Sequence, residues 1–178
     1  MFSSQAAHLV QLFDSEACLI QRVTRFLCEG LESGCTCIAL ATQSRRQRLD
    51  DALQAAGLDP VELAAQYRYI ALDAHATLAG FMTNGKLDAQ RFHRNMGLLV
   101  TQAAARGEPV RIYGDLAALL ADEGRVETAL QLEDLWNELS RYRTFTLLCA
   151  YRCEALGCNV KHHAVVRAVH NHVLTAEA

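Results

Sequence analysis

Glu133, Trp136 and Asn137 are spaced three and four residues apart, which places them on one face of a predicted helix. The indole offers a large surface and one N–H donor, while the carboxylate and the amide can fix the orientation of a bound molecule. The same spacing suits a structural arrangement, with a core tryptophan beside a hydrogen-bonded Glu–Asn pair. The sequence therefore predicts either the wall of a binding pocket or a polar contact in the core.

Three arginines, Arg45, Arg46 and Arg48, lie in the first turn of another predicted helix. Each cation opposes the helix dipole there by about 0.3–1 kcal/mol, and Arg46 precedes Asp50 in the less favourable order. An anionic ligand or an acidic partner would relieve this conflict, which makes Arg45 a candidate binding residue. The alternative is three solvated arginines that pair in part with Asp50 and Asp51.

The predicted segment 110–115 contains a further arginine within the strand and a further acid at the turn that follows it. Asp115 follows this strand, where a Walker B acid would stand; it could bind a ligand, but capping of the next helix is favoured. Arg111 alternates with the apolar Ile112. If its side chain points inward, it needs an acidic partner because an unpaired buried charge is costly, and Glu133 or Asp115 is the expected one.

The C-terminal part is rich in cysteine and histidine, but the spacing does not complete a zinc motif. Cys153 and Cys158 have four residues between them, which fits half of the pattern, whereas His163 to His170 is too long for the other half. Redox sensing would need an exposed cysteine of low pKa. We predict no metal site and no cofactor; the alternative is a metal- or thiol-redox-responsive switch that uses Cys153, Cys158, His162, His170 and His172.

Signatures of common enzymes are absent from the sequence. The apolar segment 35–42 runs into a helix with neither glycine nor lysine at the turn, so no phosphate-binding P-loop follows it. Neither a G-x-S-x-G elbow nor a G-x-G-x-x-G dinucleotide motif occurs. We therefore expect binding and signalling, with no catalysis.

Composition predicts one cytoplasmic domain over residues 1–178. The chain is 51% hydrophobic and has two prolines, enough for a core and too few for a linker. A net charge of −3 argues against direct binding of nucleic acid or an anionic membrane. No apolar run has the length of a membrane span, and the N-terminus lacks a signal-peptide pattern.

The elements that must position these residues alternate between strand and helix. Several strands are apolar on both faces, which predicts a mostly parallel α/β sheet with helices on both faces. Ligands bind such sheets beyond the carboxyl ends of the strands, where Thr42, Asp73, Gly114, Asp115 and Tyr151 form one candidate site. The predicted strands are 8–13, 35–42, 67–73, 110–115 and 144–151, and the later helices are 74–82, 88–106, two divided near Gly124, and 162–171.

Short motifs in a fixed order extend over nearly the whole chain. They are His8 with Phe13, then 38–42, 72–74, 81–82, 110–115, 132–137, 148–151, and 170–173 with Glu177. This ordered set resembles the MEDS domain, a sensory domain of methanogen and methylotroph regulators. Two details depart from the family pattern: Asp115 stands where glutamate is usual, and the tail lacks a proline before Glu177.

The resemblance implies a RecA-like three-layer sandwich without a working Walker A loop. It also implies a sensor of small organic molecules that acts beside histidine kinase or DNA-binding modules. We therefore expect a homodimeric, non-enzymatic sensor whose organic ligand, anionic or neutral, changes its contact with a histidine kinase or a response or transcription regulator. The predicted ligand-binding residues are His8, Thr42, Arg45, Asp73, Arg111, Gly114, Asp115, Glu133, Trp136, Asn137 and Tyr151.

Overall fold

The computed structural model describes residues 7–105, 107–156, 166 and 172–174. Its strands are β1 (Ala7–Phe13), β2 (Thr36–Ala41), β3 (Tyr69–Asp73), β4 (Met82–Thr83), β5 (Lys86–Leu87), β6 (Val110–Gly114), β7 (Thr146–Arg152) and β8 (His172–Leu174). Its helices are α1 (Glu16–Glu32), α2 (Gln43–Ala55), α3 (Pro60–Ala65), α4 (Ala74–Ala79), α5 (Ala89–Ala103), α6 (Leu116–Asp122) and α7 (Val126–Ser140). Within the described part of the chain, no helix combines the length and the apolar character of a membrane span.

Six strands form one parallel sheet in the order β3-β2-β6-β7-β1-β8, while β4 and β5 form a separate antiparallel hairpin. Every residue of β2 and β6 is buried because helices cover both faces of the sheet. One face packs against α1, α2 and α3, and the opposite face packs against α4 to α7. This arrangement confirms the predicted α/β class.

Two predicted boundaries were wrong for reasons of local backbone geometry. Helix α4 ends at Ala79, and Met82 belongs to the hairpin, because Asn84 and Gly85 adopt positive φ angles of 50° and 74° that close a tight turn. Strand β3 begins at Tyr69, since Tyr67 has a φ of 55°, outside the extended region.

The C-terminus adds a strand that the sequence did not predict. Strand β8 pairs in parallel with residues 9–11 of β1 at the edge of the sheet. Of the predicted helix 162–171, all residues but Val166 lie outside the described part of the chain. Val166 is buried in the core of the α4–α7 face.

Candidate functional site

Seven of the predicted site residues fall into two groups on opposite faces of the sheet. We name the first, on the α1 and α2 face, the edge network, and the second, beneath α7, the inner cluster. The edge network consists of Glu16, Thr42, Arg45, Tyr113 and Asp115. The inner cluster consists of His8, Glu133, Asn137, Cys149 and Tyr151.

Arg45 is the centre of the edge network. Its Nη1 atom lies 2.8 Å from Asp115 Oδ1, and its Nε and Nη2 atoms donate to the two oxygens of Glu16 at 2.6 and 3.0 Å. The guanidinium also lies over the ring of Phe13, 5.4 Å from the centroid. These contacts hold the side chain inside the protein, with 7% of its surface exposed. Arg45 is therefore already paired with acids of its own chain and is not presented to an anionic ligand.

Asp115 accepts hydrogen bonds from three sides. Besides Arg45, the backbone N–H of Thr42 lies 3.2 Å from Oδ2, and the Tyr113 hydroxyl donates to Oδ1. The carboxylate makes no capping bond to helix α6, so the expected capping role was wrong. The acid instead joins the ends of β2 and β6, because its own N–H donates to the Leu40 carbonyl at 2.8 Å.

The two carboxyls around Arg45 respond differently to this environment. The hydrogen bond from Arg45 lowers the pKa of Glu16, against the opposing effect of partial burial. Burial raises the pKa of Asp115, although the charge of Arg45 counteracts it. Burial works against the charge of Arg45 too, but the bond to Glu16 and the charge of Asp115 keep its pKa above the ordinary value.

A cleft of about 440 Å³ opens beside this network, where β2 and β3 end. Its lining is polar, and Thr42 Oγ1 lies 3.3 Å from Ser44 Oγ. Asp73 caps α4 through the Ala76 N–H at 3.0 Å and pairs with Arg46 at 3.2 Å. The cleft thus brings together two predicted residues, Thr42 and Asp73. Its complete lining is Thr42, Gln43, Ser44, Gln47, Asp73 and His75.

The inner cluster surrounds a carboxylate that is fully buried on α7. Glu133 Oε1 accepts a hydrogen bond of 2.5 Å from the Tyr151 hydroxyl. Its other oxygen, Oε2, lies 3.1 Å from His8 Nε2 and 3.3 Å from Cys149 Sγ. On the far side of the imidazole, His8 Nδ1 donates to Asn137 Oδ1 at 2.8 Å. The predicted Glu–Asn face is therefore real, and its two polar groups converge on a histidine.

The strand register explains why these groups meet. His8 pairs with Leu147 in the parallel β1–β7 ladder, so Cys149, two residues further on, lies on the same face. The sulfur is 3.5 Å from His8 Nε2. Burial, followed by the neighbouring Glu133 charge, raises the pKa of both the Cys149 thiol and the Tyr151 hydroxyl well above their ordinary values.

Trp136 lies in the aromatic core and contacts neither the cleft nor the inner cluster in the described contacts. Its ring packs edge-to-face against Phe92, with centroids 5.0 Å apart, and against Phe145 at 5.8 Å. Only 2% of its surface is exposed. The structure therefore supports the alternative interpretation of Trp136, that of a core residue.

The predicted acidic partner of Arg111 was wrong. Its side chain points to the α1 face, where Nη1 donates to the Phe26 carbonyl at 2.9 Å and lies 4.0 Å from Glu29 Oε2. Glu133 cannot reach it because α7, which carries Glu133, packs against the opposite face of the sheet. Gly114, a further predicted residue, ends β6 inside the core, away from the cleft lining.

The C-terminal cysteine and histidine residues of the alternative metal site are not brought together by the described structure. Cys153 is half-buried, whereas Cys158, His162 and His170 lie outside the described residues, and of His172 only the backbone is described. The described Cys, His and Asp/Glu side chains that approach closely enough to share an ion are His8, Glu133 and Cys149.

Three residues of these groups were missed by sequence reasoning. Cys149 entered the prediction only as part of the strand 144–151, although its separation of two residues from Tyr151 places both on one face. Glu16 follows the carboxyl end of β1, the same edge as Thr42, so topology could have indicated it. Tyr113 carried no comparable signal, because alternation alone does not show which strand residue reaches the edge.

Comparison with known proteins adds the family to this geometry. A sequence model of the methanogen/methylotroph, DcmR sensory domain, abbreviated MEDS, matches residues 7–171. The chain belongs to the MEDS family. The expected resemblance is thereby confirmed, and Asp115 supplies a buried carboxylate to the edge network of this MEDS domain. No curated protein matches the sequence.

One solved structure confirms that this MEDS domain has a RecA-like fold. It is similar to a KaiC-like protein from the hyperthermophilic archaeon Pyrococcus horikoshii OT3, with a TM-score of 0.63 and 12% identity, over 98% of this chain and 75% of that chain. The RadB recombinase is also similar, with a TM-score of 0.41 and 20% identity, over 83% of this chain and 63% of that one.

Proposed function

We propose that this MEDS domain is a non-enzymatic sensor that binds a small organic ligand in the cleft above β2 and β3 and relays its state to a signalling partner. The observation that carries the sensory role is the family match over residues 7–171. The cleft supports the binding role, because its volume of about 440 Å³ falls within the range of small-molecule sites.

The chemistry of the cleft favours a polar organic molecule. Hydroxyls of Thr42 and Ser44 and the amides of Gln43 and Gln47 can donate and accept hydrogen bonds, and His75 adds an imidazole. Arg45 is already paired with Glu16 and Asp115, so ligand charge is not required. A neutral alcohol or amide of a few carbons would fit these groups.

The edge network supports a binding role without ATP hydrolysis. The turns after β1 and β2, which contain Asp14, Ser15 and Thr42, offer no glycine-rich loop for phosphates. Asp115, at the position of a Walker B acid, is enclosed by Arg45, Tyr113 and the Thr42 backbone. Both features disfavour a bound nucleoside triphosphate with its metal.

Relay to a partner follows from the position of the cleft. It lies between the first turns of α2 and α4, so a ligand that contacts Ser44 and His75 bridges two helices and can shift their relative position. The proposed partner is a cytoplasmic histidine kinase or a response or transcription regulator. A homodimer is part of this proposal, since symmetric pairs are the commonest oligomers.

A library of small alcohols, amines, amides and carboxylates, screened by thermal shift, tests the binding proposal. A ligand selective for the folded state raises the melting temperature. We expect a hit whose effect is reduced in Ser44→Ala and His75→Ala and retained in Gln54→Ala, an exposed residue of α2 outside the cleft. A hit that is unaffected by both cleft variants would move the ligand site elsewhere.

Mg²⁺ and ATP are added in a second arm of the same experiment. We expect no change in melting temperature at millimolar ATP and no release of phosphate. A clear shift or sustained hydrolysis would contradict the non-enzymatic proposal while leaving the family membership intact.

A further inference from the structure

Three potential metal ligands of different chemistry meet inside the inner cluster. They are His8 Nε2 from β1, Glu133 Oε2 from α7 and Cys149 Sγ from β7. The exposed fractions of the three residues are 5%, 0% and 2%. Imidazole, carboxylate and thiolate are the three donor types that zinc sites combine.

The distances between these atoms match the edges of a tetrahedral site. They are 3.1 Å for N to O, 3.3 Å for S to O and 3.5 Å for S to N. Zinc bonds of 2.0–2.2 Å to nitrogen or oxygen and 2.3 Å to sulfur, at tetrahedral angles, require edges of about 3.3–3.6 Å. Shifts of a few tenths of an ångström would therefore accommodate an ion.

Neighbouring groups already orient two of the donors. The amide oxygen of Asn137 only accepts, so His8 Nδ1 carries a proton and Nε2 can direct its lone pair toward Glu133 and Cys149. The Tyr151 hydroxyl donates to Glu133 Oε1, while Oε2 points toward His8 Nε2 and Cys149 Sγ. Metal-bound histidines and carboxylates typically have such hydrogen-bonded partners.

We propose that His8, Glu133 and Cys149 form a buried site for a divalent transition metal of the Zn²⁺ class, separate from the cleft. Thiolate together with imidazole favours zinc over magnesium or calcium, which prefer oxygen ligands. The three protein donors leave one tetrahedral position for water or another donor.

Charge supports a divalent occupant. A thiolate, a carboxylate and a neutral imidazole carry two negative charges, which one divalent cation neutralises. A thiolate and a neutral imidazole are the metal-binding forms of cysteine and histidine, so metal affinity at such a site increases with pH.

Cobalt provides a direct probe of the predicted sulfur ligand. The full chain, produced without an affinity tag, is unfolded, freed of metal and refolded with Co²⁺ or Zn²⁺, because the donors are buried in the folded state. We expect about one ion per chain and a cobalt–thiolate charge-transfer band with tetrahedral d–d bands. Absence of both metal and band from the wild type would overturn the proposal.

Cys149→Ser and the matched Cys37→Ser identify the thiolate. Both cysteines are buried in central strands, but Cys37 lies on the opposite face, where its thiol donates to the Leu27 carbonyl at 3.6 Å. We expect the band and the Zn²⁺-dependent increase in melting temperature to vanish in Cys149→Ser and to persist in Cys37→Ser. A band that persists in Cys149→Ser would assign the ion to other cysteines and overturn the site.

Two further variants keep the test decisive if Cys149→Ser does not fold. Glu133→Gln retains the shape of the side chain and is expected to lose the metal. Asn137→Ala removes the group that orients His8, and its cobalt affinity should fall about 10–100-fold with the thiolate band retained. Unchanged cobalt affinity in both variants would overturn the metal site, and the three side chains would then form only a buried polar network.

Discussion

The two faces of the sheet stabilise carboxylates in different ways. On the α1 face, guanidinium groups hold the acids: Arg45 pairs with Glu16 and Asp115, and Arg111 lies near Glu29. On the α7 face, the neighbours of Glu133 in the described contacts are an imidazole, a thiol and a phenol. The guanidinium groups of the α1 face keep their charge at any pH near neutrality. The charge of an imidazole, a thiol or a phenol, by contrast, depends on whether the group is protonated.

This difference separates side chains with a structural role from side chains that can exchange a proton for a metal ion. A guanidinium remains protonated in proteins, so the edge network is a permanent ion pair that fixes β2, β6 and α1. Histidine and cysteine can exchange protons for a metal. The residues that looked most suited to an anion, such as Arg45, therefore form the structural network, and a residue that looked merely apolar, Cys149, belongs to the exchangeable group.

The largest expected effect comes from breaking the permanent pair. Arg45→Met leaves Asp115 buried without its cation, and removal of one partner of a buried pair costs about 3–5 kcal/mol. Urea unfolding followed by circular dichroism measures the loss. Arg48→Met, on an exposed position of the same helix, should change the free energy of unfolding by less than about 0.5 kcal/mol. Equal effects of the two substitutions would show that the pair is not structural.

Substitution of one helix glycine on each face of the sheet tests how tightly the two faces are packed. A Cβ at Gly30 in α1 would lie 2.8 Å from both Arg111 Cδ and Cys37 Sγ, so Gly30→Ala should lower the free energy of unfolding by about 1–3 kcal/mol. A Cβ at Gly97 in α5 would meet Leu139 Cδ1 at an ordinary 3.7 Å. Gly97→Ala should therefore stabilise by about 0.5–1 kcal/mol. The same sign for both variants, measured by urea unfolding, would contradict this contrast.

The smallest effect is the pH dependence that Glu16 contributes. The Arg45 hydrogen bond lowers the pKa of Glu16 in the folded state. The contribution of Glu16 to the free energy of unfolding is therefore fully present above the pKa of the unfolded state and is lost as the pH falls through the pKa of the folded state. The free energy of unfolding of the wild type should exceed that of Glu16→Gln more at about pH 6 than at about pH 3. Glu127→Gln, at an exposed position of α7, is the control. If the difference in free energy of unfolding between the wild type and Glu16→Gln were the same at both pH values, the ionisation of Glu16 would not contribute to stability.

Much of the fold could be predicted from the sequence because its signals are local. Apolar runs such as 36–41 and the alternation with helices indicated a parallel sheet, and Asn84 with Gly85 indicated a turn. The carboxyl edge followed from topology, which correctly placed Thr42 close to Asp115. Strand β8 was missed because three residues carry little periodicity.

Tertiary structure alone decided which polar groups meet. His8 and Asn137 are 129 residues apart, and His8 and Cys149 are 141 apart, so no local pattern links them. Residue types and their spacing determined the strands, the helices and the face of α7 that carries Glu133. The β1–β7 register and the packing of α7 then placed that carboxylate against His8 and Cys149, because side-chain contacts across a sheet depend on how whole elements align.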